Sequence, residues 1–133
     1  MKPTVIPLLG IALLALACGG GPMLIIPGGA LAGEVVAEPV SDWSFATDRF
    51  VDFETRLDDP YSVELNYFLR EGKLYIDPAE GRTWFDYLRA DPRARVRFGN
   101  NIYPVTAVLV GKPGELPGFD ADRFVYRLDS RSE

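Results

Sequence analysis

Val63-Glu64-Leu65-Asn66-Tyr67-Phe68-Leu69-Arg70-Glu71-Gly72-Lys73-Leu74-Tyr75-Ile76-Asp77 is the stretch whose reading decides the fold. Its period is two. Val63, Leu65, Tyr67 and Leu69 fall on one face of a strand, and Glu64, Asn66, Phe68 and Arg70 on the other. Glu71-Gly72 reads as a hairpin turn and Leu74–Asp77 as the returning strand. One apolar and one mixed face suit a barrel wall beside a ligand or partner. Pro78-Ala79-Glu80-Gly81 ends the alternation. Trp84, Tyr87 and Leu88, spaced i, i+3, i+4, then predict a short helix from about Thr83 to Asp91, with Thr83 as N-cap and Pro92 as stop.

Outward from this centre the pattern stays β. Phe50–Thr55 alternates, Asp58-Asp59-Pro60 is a turn, and Arg93–Phe98 with Ile102–Val110 forms a hairpin around Gly99-Asn100-Asn101. Residues 111–121 hold two prolines and three glycines and read as loop, and Phe124–Leu128 is a last strand. The expected fold is mainly β: a small antiparallel barrel of five to six strands with one short helix after the third. The divisions are residues 1–33, an apolar Gly-rich leader; 34–42, a polar tether; and 43–133, the barrel domain.

Composition removes many functions. The chain of 133 residues has no histidine and one cysteine, Cys18 in the leader. Histidine-based nucleophilic catalysis and His-ligated metals are excluded, and the domain has no thiol, so no metal site is expected. Lys2 is the one charge in residues 1–33, leaving 13 basic against 19 acidic groups, net −6, on residues 34–133. Such a domain is a poor duplex binder, and no nucleic-acid partner is expected. Any chemistry would then reside on a cofactor.

The leader has a basic start, ten residues of Leu, Ile, Ala and Gly at 8–17, and a small-residue end, which is a secretory pattern. Ala15-Leu16-Ala17-Cys18 is similar to a bacterial lipobox, which would make Cys18 a lipidation site, although Ala15 stands where that motif usually has Leu. A single uncleaved membrane helix and simple secretion are the alternatives; Gly19-Gly20-Gly21-Pro22 would break such a helix early. The expected location is the cell envelope, with the domain outside the cytoplasm unless the helix inserts the other way round.

Three features of the domain could carry chemistry. Gly81-Arg82-Thr83 opens the helix, where unpaired N–H groups, a guanidinium and a hydroxyl suit an anion; an ordinary capped helix is the competing reading. Arg89, Arg93, Arg95 and Arg97 form either a binding surface or a solvated row paired with carboxylates. The aromatic residues either flank a planar ring or pack the core.

The order Asp59-Pro60-Tyr61 to Tyr67, Glu71-Gly72-Lys73-Leu74-Tyr75-Ile76, Arg82-Thr83-Trp84 to Val96, and Tyr103-Pro104-Val105-Thr106-Ala107 resembles the split β-barrel proteins related to pyridoxamine phosphate oxidase. It is also similar to their deazaflavin-dependent nitroreductase relatives. The resemblance covers residues 43–128. It implies a homodimeric oxidoreductase with FMN or a deazaflavin between subunits, acting on a small molecule that the sequence does not identify. The positions it marks for the cofactor are Asn66, Tyr67, Ile76, Asp77, Arg82 and Thr83. The phosphate cluster is reduced to Arg82-Thr83. A non-catalytic anchored binding or assembly module that has lost its cofactor is therefore the alternative.

Overall fold

The computed structural model describes residues 21–23 and 26–133; lipidation at Cys18 and a membrane helix in the leader lie outside the described residues. Among the described residues the strands are β1 Glu34–Val35, β2 Val51–Thr55, β3 Tyr61–Leu65, β4 Phe68–Arg70, β5 Lys73–Ile76, β6 Arg93–Phe98, β7 Asn101–Gly111 and β8 Val125–Ser130, and the helix is α1, Thr83–Ala90. They form one curled sheet, a half-barrel, in the order β3-β2-β6-β7-β8-β5-β4. All neighbours are antiparallel except β1, which lies parallel on β7.

Alternation produces this shape. In β6, Ala94, Val96 and Phe98 turn inward while Arg93, Arg95 and Arg97 turn outward. The inward set joins Phe53, Leu74, Ile76, Val105 and Leu128, each at most 1% exposed. Helix α1 closes the barrel by burying Trp84, Phe85 and Leu88 on one stripe. Phe85 is fully buried, its ring 5.2 Å from Phe124 and 5.7 Å from Tyr126.

The structure corrects the expected strand count. Residues 63–70, read as one strand, are two: β3 pairs with β2, whereas β4 pairs with β5 at the opposite end of the sheet. The chain crosses the split at Asn66-Tyr67, whose alternation continues without a turn residue. Together with β1 this makes eight strands among the described residues. Thr83 is also not the N-cap. Arg82 holds that position in extended conformation, and its side chain makes no capping bond.

Residues 26–36 run across the sheet as a strap. Gly28 and Ser62 exchange backbone hydrogen bonds of 2.9 and 2.8 Å, and Ser62 Oγ donates to Gly29 O at 2.7 Å. The Leu31 N–H donates to Glu54 Oε2 at 2.6 Å and Arg97 Nη1 to Ala32 O at 2.8 Å. Glu34 N–H and Val36 N–H donate to Asn100 O and Ile102 O. Gly33 makes this approach possible: its φ is +151°, and a Cβ there would stand 2.5 Å from Asn100 O. Among the described residues no helix is long and apolar enough to cross a membrane.

Candidate functional site

The segment between β5 and α1 shapes the site. Gly81, at φ +89° with open space around its missing side chain, turns the chain into the helix. The first intrahelical bonds run from the Phe85 and Asp86 N–H groups to Arg82 O. The Thr83 and Trp84 N–H groups precede that ladder, and no side chain caps them. This end of α1 carries partial positive charge. Trp84 fixes its direction by packing edge-on against Phe53, ring centres 5.5 Å apart.

A cleft of about 450 Å³ opens here between β3, the end of β5 and the helix start. Asn66, Ile76, Asp77, Arg82 and Thr83 all line it. Tyr67 does not: it faces the far side of the β3–β4 crossing, where its hydroxyl donates to Asp48 O and its ring packs on Phe98 at 5.2 Å. Arg82 is exposed and, among the described residues, has no carboxylate partner.

Arg123 is a cleft residue that the sequence did not single out. It lies far along the chain, in a loop whose neighbours are acidic. The Ala79–Arg123 bridge and the bond from Phe124 N–H to Pro78 O hold that loop against the site. Arg123 Nη1 donates to Asp77 O at 3.0 Å and approaches Asp77 Oδ2 at 3.4 Å. Its Nε is buried without a hydrogen bond, 3.7 Å from Asp122 Oδ1. Burial pushes the Asp77 carboxyl above the usual carboxylate range, against the opposing pull of Arg123. Glu64 brings a second acid to the cleft, and Pro27 of the strap forms part of its rim.

The arginine row resolves as structure, and the aromatic residues divide: Tyr61 and Trp84 line the cleft, and others pack apart from it. Arg89 pairs with Glu80 and Arg93 with Asp91, Arg95 with Glu133 and Arg97 with Asp52. The row is thus a carboxylate-paired face. Trp43, Phe45, Phe98 and Tyr103 form one aromatic cluster, with Trp43–Tyr103 ring centres 5.4 Å apart, away from the cleft.

No protein-family model matches the chain, and no curated protein matches it. Among solved structures, the chain is similar to a candidate pyridoxamine 5′-phosphate oxidase from Listeria innocua: TM-score 0.51, 12% identity, covering 64% of this chain and 86% of that one. An FAD-binding protein from Mesorhizobium loti matches with TM-score 0.47 and 18% identity over 64% and 81% of the two chains. An F420 reductase matches with TM-score 0.48 and 14% identity over 71% and 97%. The likeness to the Listeria innocua protein shows a common fold, a curled antiparallel half-barrel with one short helix.

Proposed function

We propose that the chain is a membrane-tethered, homodimeric split-barrel oxidoreductase, which binds FMN or a deazaflavin and acts on a small substrate. One observation carries this reading. An uncapped helix N-terminus, an arginine without a carboxylate partner and a hydroxyl converge on one cleft of a fold shared with an oxidase-like protein. These groups fit a phosphate: two backbone N–H donors, the Thr83 hydroxyl and the Arg82 guanidinium. Ile76 supplies an apolar wall and Asn66 an amide. The cofactor would supply the hydride chemistry that a chain without histidine cannot perform with its own side chains.

Titrating the purified full chain with FMN and with a deazaflavin, followed by fluorescence, tests the proposal. Arg82→Ala should weaken binding by about 1.5–3 kcal/mol, roughly 10- to 150-fold. Absence of binding to either molecule would sink the reading. Glu64 and Asp77 favour a second reading, because two acids in the same cleft work against a phosphate. In that reading the domain is a cofactor-free anchored module, and mass spectrometry of the native protein would find a dimer without bound nucleotide.

A further inference from the structure

Residues 21–33 read Gly-Pro-Met-Leu-Ile-Ile-Pro-Gly-Gly-Ala-Leu-Ala-Gly, thirteen in a row without a polar side chain, in a protein of which 25% of residues are charged. The described part of this stretch lies on the outside of the sheet. Met23 and Ile26 are each 63% exposed, and Pro27, Ala30 and Ala32 are exposed as well. Met23 and Ile26 exchange two backbone hydrogen bonds with each other. Further along, Gly28, Gly29, Leu31 and Ala32 pair backbone groups with Ser62, Glu54 and Arg97. Much of the strap's polar backbone is thereby satisfied from the barrel side, and its outer surface presents carbon. A surface with those two properties can enter an apolar medium at low cost, since unsatisfied backbone groups are what such a medium penalises.

We infer that this strap rests in the interfacial layer of a lipid bilayer. The chain outside the described residues argues for that occupant. The apolar run 8–17 ends only six residues before Met23, so an anchor formed by the leader holds Met23 within about 20 Å of its end. The strap passes the cleft rim at Pro27. Seated in this way, the domain is fixed by two elements rather than hung from one, and the cleft opens beside the membrane surface. The inference rests on the leader acting as an anchor and is independent of which cofactor the cleft takes.

Single tryptophan substitutions in the full chain test it. Ile26→Trp and Ala30→Trp mark the strap. Leu109→Trp marks an exposed site, 43% accessible, near the far end of β7. Each variant is reconstituted in phosphatidylcholine vesicles with or without bromine on the upper acyl chains. The unmodified chain gives the background of Trp43 and Trp84, which are 2% and 8% exposed. Positions 26 and 30 should be quenched at least about twofold more than position 109 and should emit further to the blue. The second strap position keeps the test valid should one variant misfold. Equal quenching at 26, 30 and 109 overturns the inference, and so does failure of the full chain to sediment with the vesicles. Neither result bears on flavin or deazaflavin titration, so the two proposals fail separately.

Discussion

Glu54 sits 1% exposed near the end of β2, with Ser62 and Arg95 opposite on its two neighbours. Its carboxylate accepts the Leu31 N–H and faces Arg95 Nε at 3.8 Å, while Arg95 also binds Glu133. Removing one member of such a buried set strands the partners it satisfied, which is strongly destabilising. Glu54→Ala should lower unfolding free energy by about 3–5 kcal/mol in urea titration, and Glu54→Gln, which keeps an acceptor for Leu31, by less. Asp77 acts in the opposite sense. Its carboxyl is raised by burial, so the folded state binds the proton more tightly than the unfolded chain. Its contribution to stability is present below the unfolded value of about 3.9 and is lost as pH rises through the folded value. Asp77→Asn should therefore unfold at higher urea than the parent at neutral pH, with the difference closing near pH 4. A variant less stable than the parent at neutral pH would show that the ion pair with Arg123 outweighs burial.

Helix α1 begins without the device that usually starts a helix. A serine at the cap would bond the exposed N–H groups, whereas Arg82 leaves them open. Arg82→Ser should raise stability by about 0.5–1 kcal/mol in thermal unfolding while weakening FMN or deazaflavin binding. A gain in stability with unchanged binding would locate the anion elsewhere. The helix and the hairpins were legible in the sequence, because period, turn residues and a helix start are local signals; of the positions that the family resemblance marked for a cofactor, Asn66, Ile76, Asp77, Arg82 and Thr83 line one cleft. The break at Asn66-Tyr67 was not legible, since it lies within unbroken alternation and is set by which distant strand each half finds. Tyr67, beyond that break, packs on Phe98 and does not line the cleft. Arg123 was hidden by its distance along the chain, and the strap by its composition, which is indistinguishable from leader.

Across the whole molecule, β8 is the keystone of the sheet order. It lies between β7 and β5, and among the described residues β4 and β5 join the other strands only through it. A chain ending before Val125 should lack a protected core, giving no cooperative unfolding by circular dichroism and rapid proteolysis throughout. A folded, protease-resistant fragment of that length would contradict this role. Leu74, Tyr75 and Ile76 wait for Leu128, Arg127 and Tyr126, and Glu34 waits for Asn101. Contacts of such sequence separation form late and slowly. During synthesis, then, the hairpin of β4 and β5 is made long before the strand that docks it, and it waits unplaced until β8 has left the ribosome.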